Sequence, residues 1–151
     1  VLIFGALPAR RVGELPQYRG LHTLPLYSCI VPVPPNKPRP GVPGLPLLLA
    51  RRLSAVLGIP VVTPLYIKNP GRPQKELTRE ERLRRAKAAF ACRPGTDLTG
   101  KRVLLVDDII TTGATASACA AALLQAGAIE VTAAAIAATE ELPKAQQKKE
   151  R

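Results

Sequence analysis

The sequence predicts an α/β fold, a Rossmann-like parallel sheet flanked by helices. Three observations carry that expectation. Short apolar runs rich in β-formers alternate with helix-patterned segments in the order β-α-β-α-β-α-β, with short connections, which implies parallel strands joined by crossover helices. One run, Val103 to Val106, is apolar at every position, as in a strand covered on both faces. At 151 residues the chain suits one domain with a core of useful size.

The elements follow in order. Residues 1–26 mix an apolar start with prolines and glycines and show no sustained period, so a short strand or turn followed by irregular chain is expected there. "YSCIVPV" (27–33) reads as a buried strand ended by Pro34 and Pro35. "NKPRPGVPG" (36–44) holds too many breakers for helix or ladder and is a loop. Residues 45–58 place Leu47, Leu48, Ala50, Leu53 and Leu57 on one helical face, with Pro46 early and Gly58 as the stop. "IPVVTPLYI" (59–67) is a second strand whose prolines favour a position near the sheet edge. After a polar loop, Thr78 with Glu81 three residues on forms a capping box that opens a helix over 79–90. A turn (94–101), a strand (102–107), a helix (114–126) stopped at Gly127 and a last strand (130–138) complete the domain. The layout is thus an irregular segment (1–26), a main domain (27–139) and a charged tail (140–151) expected to be disordered.

Composition narrows the chemistry. Only three tyrosines and two phenylalanines are present, so the core must be built from alanine, leucine, valine and isoleucine. There is no methionine and position 1 is valine, as in a chain trimmed from something longer. The net charge is +11, and Lys68 to Arg102 alone carries eleven Lys or Arg against four acids. That basic block suits phosphate-bearing ligands, and equally a solvated helix face. Cys29, Cys92 and Cys119 show neither disulfide-framework nor metal-ligand spacing, which points to a reducing cytoplasm. No apolar run is long enough to span a membrane.

The chemistry concentrates in "VLLVDDIITTGAT" (103–115). Asp107 and Asp108 are adjacent like charges, which raise each other's energy unless a ligand or donor stands between them and solvent. Beyond them, Thr111, Thr112, Gly113, Ala114 and Thr115 separate a strand from a helix. Gly113 permits a left-handed backbone, and the first helical turn offers unpaired amides to an anion. This end therefore reads as a monophosphate cradle. The carboxylates beside it suit vicinal hydroxyls, or a Mg²⁺ bridging sugar and phosphate oxygens. A phosphate on one side and a diol on the other describe a ribose 5-phosphate. Neither a P-loop nor a Gly-x-Gly-x-x-Gly run is present. The competing structural reading is an aspartate pair that merely caps a helix.

"VLLVDDIITTGAT" resembles the 5-phosphoribosyl 1-pyrophosphate (PRPP) motif of type I phosphoribosyltransferases. "IVPVPP" upstream, with "RPQKELTREERLRRAKAAF" and then "GKRVLLVDDIITTGAT", is similar to the ComF competence-protein subgroup over residues 28–138. The resemblance implies the type I phosphoribosyltransferase fold with a small mobile hood, and a Mg²⁺-dependent pentosyltransferase activity. In that scheme Asp107 and Asp108 hold the ribose hydroxyls and, indirectly, the metal, while residues Thr111, Thr112, Gly113, Ala114 and Thr115 hold the 5-phosphate. Arg72, Gln74 and Lys75 match the hood loop that closes over pyrophosphate, where positive charge stabilises the departing anion. The acceptor is an unknown nucleophile.

The chain departs from the ComF pattern at the loop after the first strand. Asn36 stands near a family histidine, and Gly41, Val42, Pro43, Gly44 and Leu45 replace an Arg-Gly-Phe-Asn-Gln run. Arg85 stands where the family carries asparagine, and Thr111 offers no acid to deprotonate a 6-oxopurine. The second reading is accordingly a non-catalytic ComF-like factor of the same fold, binding single-stranded DNA or a protein in DNA uptake. Few aromatics accompany the basic block to stack bases. A homo-oligomer is left open.

Overall fold

A computed structural model describes residues 2–4, 10–11, 27–68, 78, 80–81 and 88–138. Its main sheet has five strands: β1 (Leu2–Phe4), β2 (Arg10–Arg11), β3 (Cys29–Pro32), β6 (Arg102–Ile110) and β7 (Glu130–Ala138). They lie in the order β2-β1-β7-β6-β3. Strands β3, β6 and β7 are mutually parallel, in the register Cys29–Val103 and Val103–Val131. The parallel sheet expected from the alternation is therefore present. It is extended by an antiparallel flank that the alternation did not predict, since β1 pairs antiparallel with β7, and β2 with β1.

Strand β6 shows why the sheet is covered on both sides. Val103 and Leu105 join Cys29, Val31 and Val33 in a core closed by Cys119, Ala122 and Leu123 of helix α2 (Ala114–Gln125). Leu104 and Val106 join Ile30 in a second core, closed by Ala50, Leu53 and Leu57 of helix α1 (Leu45–Leu57). Successive strand residues alternate faces, so one run of four apolar residues feeds both layers. Each such side chain is worth about 1.5–3 kcal/mol when fully buried. Small residues on α2 bring its backbone close to the sheet. The buried Thr132 shares a side-chain hydrogen bond with Tyr27.

Several elements differ from expectation for local reasons. On α1 the inward stripe is Pro46, Leu49, Ala50, Leu53 and Leu57, whereas Leu48 is 46% exposed. The expected strand over 59–67 divides. Val61 makes a single parallel bridge to Ile30, with Ile30 N–H donating to the Pro60 carbonyl at 2.8 Å and Val62 N–H to the Ile30 carbonyl at 2.9 Å. The chain then leaves the sheet at Pro64, which lacks a donor to continue the ladder. Leu65–Ile67 (β4) instead pairs antiparallel with Phe90–Cys92 (β5) in a separate two-stranded sheet.

That pairing also shortens the helix expected over 79–90, since Phe90 begins a strand and Ala89 accepts a hydrogen bond from Lys68 N–H at 2.7 Å. The helix start is as expected. Glu81 N–H donates to Thr78 Oγ1 at 3.3 Å, and Thr78 N–H to Glu81 Oε2 at 2.9 Å. Most of that helix, the preceding loop with Arg72, Gln74 and Lys75, Arg85 and the tail from 139 onward lie outside the described residues. Cys29, Cys92 and Cys119 are free thiols. Among the described residues no helix is long and apolar enough to cross a membrane.

Candidate functional site

Strand β3 ends at Pro32, opposite Val106, and the last hydrogen bond on that side runs from Val33 N–H to the Val106 carbonyl at 2.8 Å. Strand β6 continues to Ile110, still paired with β7 through Ile110–Ala138. The expected strand end at Asp107 is therefore three residues too early. Asp107 and Asp108 lie within β6, at the first positions where the β3 side is no longer covered. A parallel sheet binds ligands outside the carboxyl ends of its strands, and this step in strand length creates that opening.

Each of the two carboxylates accepts from the backbone amide that follows it, and the first of these amides faces the side that β3 has left. Asp108 N–H donates to Asp107 Oδ1 and Ile109 N–H to Asp108 Oδ1, both at 2.8 Å. Burial pushes the Asp107 carboxyl up to about 6, with hydrogen bonding and charge from the Asp108 carboxyl adding to the rise. Among the described residues neither is paired with a lysine or arginine; the ion pair found there is Arg102–Glu130, at 3.5 Å.

After Ile110 the chain turns through Thr111 and Thr112 to Gly113, whose φ of 78° is left-handed. Gly113 is the N-cap of α2 and provides no side-chain cap. Ala114 N–H is met by Thr112 Oγ1 at 3.3 Å, and Ser117 N–H by the Gly113 carbonyl at 2.8 Å. No acceptor among the described residues bonds the amides of Thr115 and Ala116. The carboxylates of Asp107 and Asp108 bond amides of β6 and do not cap this helix.

Two adjoining openings result. A hollow of about 30 Å³ is lined by residues 111–116 together with Asp107, Ile109 and Ile110. A cavity of about 390 Å³ beside it is lined by Asp107, Asp108, Ile109 and Thr115 on one side and by Pro34, Pro35 and Asn36 on the other. Asp107, Ile109 and Thr115 belong to both. Leu45 and Pro46, at the start of α1, close the cavity's far wall. The structure thus brings together Asp107, Asp108, Thr111, Thr112, Gly113, Ala114 and Thr115. Sequence reasoning passed over Ile109, which is 53% exposed at the mouth; its exposure depends on where β3 stops, which no local pattern encodes.

An α/β sheet with helices on both faces, opening at the carboxyl ends of its parallel strands onto a carboxylate pair and an uncapped helix start, is the architecture of a nucleotide- or sugar-phosphate-handling domain. A family model for the phosphoribosyl transferase domain matches residues 41–151, and the chain belongs to that family. It is similar to the adenine phosphoribosyltransferase of Nocardia farcinica (strain IFM 10152), 37% identical over 98 residues, covering 64% of this chain and 50% of that protein. The chain therefore spans about half the length of that curated relative.

Among solved structures it is similar to the B. subtilis glutamine phosphoribosylpyrophosphate amidotransferase complexed with ADP and GMP. The identity is 25%, covering 70% of this chain and 21% of that one, with a TM-score of 0.49. The purine phosphoribosyltransferase from Pyrococcus horikoshii Ot3 is likewise 25% identical, covering 78% and 67% of the two chains, with a TM-score of 0.49.

Proposed function

We propose that this domain binds Mg²⁺-PRPP and passes its ribose 5-phosphate to a nucleophile, with release of pyrophosphate. One observation carries the reading: Asp107 lines both the threonine hollow and the larger cavity, so the two adjoin at a shared wall that includes one of the paired carboxylates. A 5-phosphate would set its oxygens against the amides of Thr115 and Ala116 and the hydroxyls of Thr111, Thr112 and Thr115. The ribose hydroxyls would donate to the oxygens of Asp107 and Asp108 that take no backbone N–H. Pyrophosphate would then lie towards Pro35 and Asn36, with Arg72 and Lys75 supplying positive charge and Gln74 a neutral amide donor from the segment beyond β4.

In the transfer, the acceptor's lone pair forms a bond to ribose C1 while the C1–oxygen bond to pyrophosphate breaks. The bonding pair leaves with pyrophosphate, and the proton of an N–H acceptor passes to solvent. Bound Mg²⁺ would neutralise charge on the leaving group. The residues fit such an ion: no cluster of three His, Cys, Asp or Glu among the described residues forms a protein cage, and Mg²⁺ commonly takes one or two carboxylates and fills its other positions with water and phosphate oxygens.

The test is a thermal-shift and calorimetric titration with Mg²⁺-PRPP, with ribose 5-phosphate alone, and with Mg²⁺ alone. Stabilisation by Mg²⁺-PRPP is expected to reach about 2.7 kcal/mol at a hundredfold excess over Kd. No response to either phosphate ester would remove the reading. It would leave the ComF-like role, a non-catalytic factor holding single-stranded DNA or a protein, to be examined by oligonucleotide binding across a salt series.

A further inference from the structure

The small sheet of β4 and β5 has an edge that nothing among the described residues pairs. In an antiparallel ladder every second pair of residues exchanges backbone hydrogen bonds across the strands. Arg93 N–H donates to the Pro64 carbonyl at 2.8 Å, and Lys68 N–H to the Ala89 carbonyl at 2.7 Å. With Tyr66 opposite Ala91, the residues turned towards β5 are therefore Pro64, Tyr66 and Lys68. Leu65 and Ile67 turn one N–H and one C=O each to the outer side, where no partner among the described residues meets them. Leu65 is 5% exposed, so its outward groups are sheltered from water as well as unpaired. A backbone group in that state costs free energy until a partner arrives.

A second cavity, of about 360 Å³, lies along this edge. All of β4 lines it, whereas Ala91, across the ladder from Tyr66, does not. Its opposite wall is the turn of Pro34, Pro35 and Asn36, which also lines the cavity of Asp107 and Asp108. No backbone hydrogen bond crosses from that turn to β4. Arg93 carries the only formal charge in the lining, and among the described residues no carboxylate pairs with it. It stands two residues from Ala91 and so shares the hairpin face of Tyr66.

We infer that the outer edge of β4 receives an extended peptide of an acidic partner protein as a third strand. In such strand addition main-chain hydrogen bonds, here to Leu65 and Ile67, supply affinity, and alternate side chains supply selectivity. The added strand carries an acid on the face of Tyr66, where it meets Arg93, and apolar residues on the face of Leu65 and Ile67. A second copy of this chain fits less well, because it sets like charge against like at a net charge of +11. Pro64 has no N–H to offer and ends the pairing on its side, which keeps the addition short. The inference stands apart from PRPP binding.

The test titrates the protein with acetyl-Glu-Val-Thr-Val-Glu-amide and with a twin N-methylated at every internal peptide bond, followed by amide NMR. Both peptides carry the same charge, so general attraction to a basic chain cancels. The unmethylated peptide is expected to bind at least about tenfold more tightly, the scale of one or two hydrogen bonds. At saturation it is expected to slow amide exchange at Leu65 and Ile67 at least about tenfold. Arg93→Gln is expected to weaken binding at least about threefold and leave the fold intact, since the backbone of Arg93 makes the hydrogen bonds to Pro64 and Thr96 that place it. Ile67→Pro removes an outward N–H and no ladder bond, and is expected to weaken binding as well.

Equal affinity for the two peptides, no binding of either, or unchanged affinity in Arg93→Gln would each overturn the inference. Two further outcomes would assign the edge elsewhere and overturn it too. Exchange at Leu65 and Ile67 as slow as at Tyr66 in the free protein would show the edge covered by its own chain. A dimer in sedimentation that Ile67→Pro dissociates would give the edge to a second copy.

Discussion

Asp107 accepts a hydrogen bond from the backbone N–H of Asp108, its own chain neighbour, at 2.8 Å. The contact forms where β3 has ended and can no longer satisfy β6, and it draws two acids into a half-buried corner. A carboxyl whose native pKa lies above its unfolded value opposes folding once it ionises. Asp107→Asn keeps the acceptor oxygen and removes the charge. It is expected to stabilise the ligand-free protein at pH 7 by about 1–2 kcal/mol, and to lower Mg²⁺-PRPP affinity by at least about tenfold. Thermal melts and calorimetry on the same protein would check both signs, and a variant both less stable and equally tight would contradict the assignment.

The same group sets a pH dependence with two opposite limbs. Asp107 moves from an ordinary 3.8 to about 6 in the folded protein. Between those values the folded state holds more proton than the unfolded one. The contribution of Asp107 to stability therefore declines as pH rises from 3.8 to about 6 and is flat above. Ligand affinity should run the other way, because diol and metal need the ionised form, so binding weakens as pH falls below about 6. Calorimetry between pH 5 and pH 8, with Asp107→Asn as the control that flattens the curve, measures this.

Two glycines on either side of α2 should respond differently to alanine. Gly127 has a φ of 103°, and a Cβ there would sit 2.9 Å from Thr99 Oγ1 and 3.0 Å from its Cα. Gly127→Ala is expected to cost about 2 kcal/mol or more, from strain and backbone collision together. Denaturant melts should show the loss, with ligand affinity preserved in the folded fraction.

Gly113 also has a left-handed φ, but a Cβ there would meet nothing within 4 Å. Gly113→Ala is expected to cost only about 1–2 kcal/mol of stability, while the added methyl beside the threonine hollow weakens PRPP binding at least about tenfold. Unchanged affinity in this variant would remove Gly113 from the phosphate site.

Thr78 and Glu81 tie down a helix start that follows, in sequence, Arg72, Gln74 and Lys75. Thr78→Ala removes the N-cap hydroxyl and is expected to cost about 1 kcal/mol. Under the proposed PRPP reading, in which Arg72 and Lys75 supply charge to pyrophosphate, the variant is also expected to speed PRPP release. Stopped-flow dissociation against the thermal melt separates the two effects.

Much of this was readable one segment at a time. The all-apolar run before Asp107 announced a strand covered on both faces, and Val103 to Val106 do divide between two cores. The box of Thr78 and Glu81 and the stop at Gly127 are local hydrogen-bonding and φ preferences, which depend on residues a few positions apart. Errors arose where distant segments compete for the same backbone. Phe90 fits a helical pattern, yet it pairs with Ile67; Leu48 looks apolar and inward, yet α1 packs through Leu49, Ala50, Leu53 and Leu57 and leaves it exposed.

By itself the sequence determined the alternating architecture, the acid pair and the glycine-threonine turn, because periodicity and turn chemistry act over a few residues. Only the tertiary structure decided that β3 stops one position before Asp107, that Pro34 to Asn36 line two cavities, and that Arg93 lines the second. Each of these depends on where non-neighbouring strands end against one another, and an opening left between two segments has no signature in either of them alone.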